Sequence, residues 1–206
     1  MYLENYYWYF EDVIPHRICD EIIKIGESRQ KLQAVTGQTP EEKKETDIEK
    51  QRDSTVSWLS EPWIYQELNP YIFTANKNAG WNFEWDWNEP CQYTTYDSNQ
   101  FYDWHQDQNS LPFKDEDINI NGKIRKLSLT LSLNNSSEYE AGVFQFDYRN
   151  YNPNKVEEKD RIISATQLNK KGSIIIFPSF VWHRVTKVTK GQRKSLVNWS
   201  LGAKFI

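Results

Sequence analysis

From residue 81 onward, apolar and polar residues alternate along much of the chain. Every odd position from Trp81 to Trp87 is aromatic and every even one polar, so a period of two sets Trp81, Phe83, Trp85 and Trp87 on one face of a strand. Leu127, Leu129, Leu131 and Leu133 alternate with Ser128, Thr130 and Ser132 in the same way. Further strands are predicted over 143–147, 173–177 and 195–201, separated by polar loops at 108–126 and 148–171. The first part of the chain reads differently. After an early strand-like segment, residues 15–28 set Ile18, Ile22, Ile23 and Ile25 roughly on one side of a helix, and a second short helix is predicted over 62–71 or a little beyond. The run 36–53 has almost no apolar residues and reads as a solvated loop. Helices first and strands afterwards predict a β-sandwich or jelly roll with helices packed on one side.

The period does not say what covers each face. The hydroxyls of Ser128, Thr130 and Ser132 either line a wet, ligand-sized cavity or meet bulk solvent. The aromatic face of 81–87 either packs into a core or offers a platform for stacking sugars, and core packing is the better expectation because alternate residues of a sandwich strand bury something.

Composition narrows the class. A chain of 206 residues fits one domain, 1–206, and is long enough to enclose a pocket. Nine Trp and twelve Tyr supply a dense core despite the hydrophilic average. A net charge of −4 argues against a nucleic-acid protein, because phosphate binding needs a basic face. Cys19 and Cys91 lack metal-type spacing and read as free thiols in a reducing compartment. The acidic, aromatic start lacks the basic residues and apolar run of a signal peptide, and the aliphatic stretch 174–177 is too short to span a bilayer. The expectation is a cytoplasmic protein without membrane contact, in which the sequons at Asn135 and Asn198 carry no sugar.

Three histidines remain to carry chemistry: His16, His105 and His183. His16, near the start of the first helix, reads as a surface residue. In His105-Gln106-Asp107 an imidazole and a carboxylate stand two residues apart, so both point to one side of an extended segment. His183 follows an apolar strand and a Pro178-Ser179 turn and can arrive from a neighbouring strand. Two imidazoles and one carboxylate occupy one face of an octahedral ion and leave the other positions open, which suits non-haem Fe(II) and disfavours a structural zinc site. Alone, such a tripeptide is common by chance. Arg193 sharpens it, because a last strand opening there sets Arg193, Ser195, Val197, Trp199 and Leu201 on one face, and an inward Arg with a Ser can clamp a carboxylate. The run 117–122 mimics the start of a calcium loop, but the twelfth position would be Ser128 where a bidentate Glu is needed, so calcium is rejected.

The stretch Tyr96-Asp97-Ser98-Asn99-Gln100-Phe101-Tyr102-Asp103-Trp104-His105-Gln106-Asp107 resembles the Y-x-x-G-Q-x-Y-x-x-H-x-D segment of prolyl 4-hydroxylase-like Fe(II)/2-oxoglutarate dioxygenases. Gly172 to Ser179 followed by Trp182-His183-Arg184-Val185 resembles the family's G-x-x-x-x-F-P-S…H-x-V, and Gly191 to Ser195 its G-x-R-x-S. Phe10…Ile14…Cys19-Asp20 is similar to the helix that opens these domains. The resemblance implies an α+β, mostly β fold, the double-stranded β-helix of jelly-roll and cupin-like proteins, with supporting N-terminal helices. It implies His105, Asp107 and His183 as metal and catalytic residues. Arg193, with Tyr96 and Ser195, is implied for 2-oxoglutarate, and ascorbate as a supporting reductant.

The implied reaction consumes dioxygen, hydroxylates an unactivated C–H bond and releases succinate and CO2. Its substrate would be a prolyl or other side chain of a peptide or protein, or a small molecule, with no nucleic acid involved. The carboxylate at Asp107 argues against halogenation, because related halogenases keep that position free for halide. Two departures stand out: Ala141-Gly142-Val143-Phe144 replaces the common G-G-E-L, and Asn99 replaces the motif glycine, where it can still adopt a left-handed turn. The alternatives are a metal-binding jelly roll that works without 2-oxoglutarate and a non-catalytic one that binds sugar or peptide. The first of these gives Arg193 no role.

Overall fold

Strand parity sorts the side chains of one large sheet onto two faces, and each face is buried by a different layer. The computed structural model describes residues 3–34, 51–148 and 158–205. In chain order it runs through β1 (Trp8–Phe10), α1 (His16–Ser28), β2 (Leu32–Gln33), β3 (Arg52–Asp53), β4 (Thr55–Leu59), α2 (Pro62–Asn78), β5 (Trp87–Asn88), β6 (Cys91–Tyr96) and β7 (Phe101–His105). It continues through β8 (Lys123–Ser132), β9 (Tyr139–Ala141), β10 (Phe144–Asp147), α3 (Glu158–Arg161), β11 (Ile162–Ser164), β12 (Ile174–Pro178), β13 (Trp182–Val185), β14 (Val188–Gly191) and β15 (Arg193–Ala203).

Eight strands form the major sheet, in the order β1-β12-β8-β15-β6-β4-β2 with β5 also on β15. Five form a minor sheet, β11-β10-β13-β7-β3, and β9 pairs with β14. The pairing is antiparallel, and the whole is the mostly β jelly roll with N-terminal helices that the sequence predicts.

On β8 the leucines Leu127, Leu129 and Leu131 join Leu196, Ile174 and Ile176 beneath α1 and α2, where Ile22, Ile64, Leu68 and Ile72 complete the core. The opposite parity faces the minor sheet, where Ile175, Phe177, Phe144 and Phe146 form a second cluster. This explains the unbroken apolar run of β12, which is covered on both sides. It also resolves the hydroxyl face: Ser128, Thr130 and Ser132 are buried between the sheets and not exposed to bulk solvent.

Helix α1 approaches the sheet closely through Gly26, whose carbonyl accepts a hydrogen bond from Ser57 Oγ at 2.8 Å. A Cβ at Gly26 would stand 2.4 Å from Cγ of the buried Tyr93 ring. Helix propensity favours alanine by about 1 kcal/mol, but overpacking a rigid ring root costs about 1–3 kcal/mol. Gly26→Ala is therefore expected to lower stability by up to about 2 kcal/mol, read as a lower midpoint in urea at unchanged m-value.

Four sequence expectations are corrected. Residues 36–50 of the expected solvated loop lie outside the described residues, but its end is a strand: Arg52 and Asp53 pair with Tyr102 and Phe101. Of 81–87 only Trp87 is in a strand, paired with Leu201, because Asn82 turns to φ 50° and interrupts the extended backbone. Trp81 is buried and Phe83 and Trp85 pack against the core, whereas Trp87 is 39 % exposed. The loop expected over 108–126 ends at Gly122, where β8 begins. Of the loop expected over 148–171, residues 149–157 lie outside the described residues, and α3 and β11 occupy part of the remainder.

Candidate active site

The antiparallel register of β7 and β13 sets His105 opposite His183, with ring centroids 4.1 Å apart. Just beyond β7 the chain turns, and the backbone N–H groups of Asp107 and Gln108 both donate to the Ser179 carbonyl, at 2.9 and 3.0 Å. That turn brings the Asp107 carboxylate between the imidazoles. Its Oδ1 stands 3.7 Å from His105 Nε2 and its Oδ2 stands 3.5 Å from His183 Nε2. All three residues are buried, and their ligand-type atoms lie within 4.8 Å of one another.

The outer ring nitrogens fix the tautomers. His105 Nδ1 donates to the Asp103 carbonyl at 2.7 Å and His183 Nδ1 to the Val181 carbonyl at 2.9 Å. A carbonyl only accepts, so both protons sit on Nδ1 and both Nε2 lone pairs converge on the carboxylate. Burial, and then the neighbouring His183, push His105 well below its ordinary pKa, which keeps its lone pair available. Burial opposes ionisation of Asp107, but His183, His105 and Arg125 outweigh it and hold the carboxyl below the usual carboxylate range. Asp107 Oδ2 accepts no hydrogen bond although it is buried. Converging lone pairs and an unsatisfied buried carboxylate oxygen fit a divalent cation with nitrogen and oxygen preference.

Arg193 opens β15 opposite Tyr96 and is 3 % exposed. It donates from Nη1 to Ser195 Oγ at 3.1 Å. One pocket is lined by His105, Asp107, His183, Arg193, Ser195 and Tyr96 together, so every sequence-predicted site residue meets there. His16 stands apart on the surface with Asp12, as expected.

A model of the 2OG-Fe(II) oxygenase superfamily matches residues 91–201, more than half of the chain. The chain belongs to this superfamily. It is an oxidoreductase whose cofactor is Fe(II) and whose co-substrate is 2-oxoglutarate. No curated protein sequence matches it. Among solved structures it is similar to a viral collagen prolyl hydroxylase of Paramecium bursaria Chlorella virus-1 in complex with 2-oxoglutarate, at 17 % identity and TM-score 0.63 over 98 % of both chains. A Pseudomonas putida prolyl-4-hydroxylase gives 15 % identity and TM-score 0.65 over 98 % of this chain and 95 % of that one. A Trichoplax adhaerens prolyl hydroxylase, solved with a peptide fragment of the hypoxia inducible factor oxygen degradation domain, gives 15 % and 0.60 over 96 % and 84 %. At these identities the likeness establishes the fold.

Several residues in or around the oxygenase pocket were not predicted. Tyr102 stacks on the His105 ring at 3.4 Å, while Phe144 stacks on His183 at 5.5 Å and Phe177 meets it edge-on at 4.7 Å. These rings leave the two imidazoles little freedom to turn. Arg125 lies 3.9 Å over Trp199 and is held by Glu89 through two parallel bonds of 2.6 and 2.7 Å. Between Ser200↔Leu127 and Leu201↔Arg125 the register advances one residue on β15 but two on β8. Parity with Leu127 would send Arg125 under the helices, and this bulge turns it to the Trp199 face instead, where Nη1 donates to the Asp107 carbonyl at 3.4 Å. Arg52 and Gln92 also line the pocket.

Proposed function

We propose that this oxygenase holds Fe(II) with His105, Asp107 and His183 and seats the far carboxylate of 2-oxoglutarate on Arg193 and Ser195, with Tyr96 alongside. It then hydroxylates an amino-acid side chain, with a prolyl residue of a peptide as the leading substrate class. The observation that carries this reading is the meeting of three converging ligand atoms and a buried guanidinium in one pocket.

When bound, the iron and 2-oxoglutarate supply the oxidising chemistry: dioxygen is consumed, the co-substrate becomes succinate and CO2, and a C–H bond becomes C–OH. The chain's own residues position and shield. The Asp103 and Val181 carbonyls hold the imidazoles in the tautomer that offers Nε2. Arg193 has donors left beyond its bond to Ser195, and a planar guanidinium matches a carboxylate with two parallel bonds. Tyr102, Phe144 and Phe177 are apolar walls that keep water from the ligand atoms.

The peptide reading is supported by the mouth. Trp58, 42 % exposed, stands 6.3 Å from Trp199, so an aromatic surface leads from solvent to the pocket. Such a surface suits a flat, apolar ring presented by an extended chain. The two free, buried cysteines support a cytoplasmic setting, in which the chain acts as one catalytic domain.

The test is incubation with Fe(II), 2-oxoglutarate, air and a prolyl peptide library. Succinate formed in step with a one-oxygen mass gain on the peptide is expected. No succinate above the enzyme-free control would leave the chain as a jelly roll that binds metal without this reaction.

A further inference from the structure

Arg52 puts a second guanidinium into the pocket, and it is 5 % exposed. Its Nε donates to Ser54 Oγ at 2.8 Å and its Nη2 to Gln92 Oε1 at 2.8 Å. It also lies 4.4 Å over the Tyr102 ring, which in turn stacks on His105. The guanidinium therefore stands one ring away from a candidate metal ligand.

Three other arginines are paired with carboxylates, Arg125 with Glu89, Arg161 with Asp147 and Arg29 with Glu61, whereas Arg184 donates to the neutral Gln145 and stands outside the pocket. Arg52 meets only neutral acceptors and a ring face among the described residues. A guanidinium has five N–H donors, and those two bonds leave three of them free.

The charge count points the same way, and here it rests on the functional reading above. The ion, Arg52 and Arg193 outweigh Asp107 and the two carboxylates of 2-oxoglutarate by a single positive charge. Arg125 adds nothing to the excess, being paired. An unbalanced charge in a buried pocket is costly, so an anionic partner that completes the count is favoured.

We infer that Arg52 is an anion-binding residue of the substrate pocket, and that the prime substrate carries a carboxylate or similar singly charged group beside the residue that reacts. Arg193 reads the co-substrate and Arg52 reads the substrate. For a peptide, the group is an acidic neighbour of the hydroxylated residue or a C-terminal carboxylate. A neutral prolyl peptide would enter but leave the guanidinium uncompensated.

The test uses matched acid and amide probes: Ac-Pro-Glu-NH2 against Ac-Pro-Gln-NH2, Ac-Glu-Pro-NH2 against Ac-Gln-Pro-NH2, and N-acetylproline against its amide. Calorimetric titrations are run on wild type, Arg52→Gln and Arg52→Lys, each checked for folding by circular dichroism. They are done with Mn(II) and 2-oxoglutarate and repeated on metal-free protein. Wild type is expected to bind the acid of at least one pair about tenfold tighter than its amide, the scale of a hydrogen bond to a charged group. Arg52→Gln should erase that preference and Arg52→Lys keep part of it, while the Kd for 2-oxoglutarate moves less than about threefold in either.

Equal affinities within every pair for wild type would overturn the inference. So would a preference that survives Arg52→Gln. Weakening of 2-oxoglutarate by about tenfold or more in Arg52→Gln, with the pair preference intact, would assign Arg52 to the co-substrate instead. If Arg52→Gln does not fold, Arg52→Lys decides, since a shifted preference requires contact and an unchanged one denies it. Failure of wild type to bind 2-oxoglutarate would sink the functional reading, and the metal-free titrations would still decide the anion site.

Discussion

His183→Ala is expected to abolish succinate formation and to weaken Fe(II) binding by at least about a hundredfold, the upper range for disturbing even the groups that support a metal ligand. The Nε2 atom of His183 faces the Asp107 carboxylate at 3.5 Å, and no other histidine is near enough to replace it, His16 being on the surface. The ring also fills space between Phe144, Phe177 and His105, so its removal leaves a cavity costing about 2–3 kcal/mol of stability. His183→Gln keeps more of the bulk and separates the two effects, because it should retain more stability while iron binding still falls. Iron affinity is measured by competition with a chelator, and stability by urea unfolding of the metal-free protein. Near-wild-type succinate production by His183→Ala at limiting iron would remove His183 from the site.

Arg193→Ala is expected to raise the KM for 2-oxoglutarate by about one to two orders of magnitude, while Fe(II) affinity measured without co-substrate stays close to wild type. The guanidinium is buried, bonds only Ser195 and the face of Tyr96 among the described residues, and shares the pocket with the metal-ligand atoms. A buried cation so placed needs an anion, and the far carboxylate of the co-substrate supplies it. Arg193→Lys keeps the charge but loses the planar fork, so it should lose about 0.5–1 kcal/mol of co-substrate binding, less than alanine does. An unchanged KM in Arg193→Ala would take away the residue's role.

Most of the site could be read in the sequence because it obeys strand parity. His105 and Asp107 stand two apart at the end of β7, and Arg193, Ser195, Val197 and Trp199 line one face of β15. Asn99 takes the left-handed conformation expected where the motif has glycine, at φ 75°. Leu201, expected to extend that face, lies beyond the register shift and does not line the pocket.

The missed residues are those for which parity is broken or uninformative. Arg125 adjoins a bulge that no spacing reveals, and it is fixed by Glu89, a residue 36 positions away. Arg52 sits in a two-residue strand at the end of a polar run, too short to show a period. The hydroxyl face of β8 was ambiguous because alternation tells which residues share a side and not which layer covers it. Val143 stands where relatives commonly carry Glu, yet its backbone is still pinned by Thr186 Oγ1 at 2.8 Å, so the departure leaves the turn into β10 anchored.

The central claim is that the two imidazoles, the carboxylate and Arg193 together make one Fe(II)/2-oxoglutarate site. Its most direct test is an anaerobic titration followed by the visible charge-transfer absorption that arises when 2-oxoglutarate chelates protein-bound Fe(II). The band should appear only when both are added, saturate at one ion per chain, vanish in His183→Ala, and require at least about tenfold more 2-oxoglutarate in Arg193→Ala. No band in the wild type with iron and co-substrate both bound, or a titration unmoved by Arg193→Ala, would contradict the account.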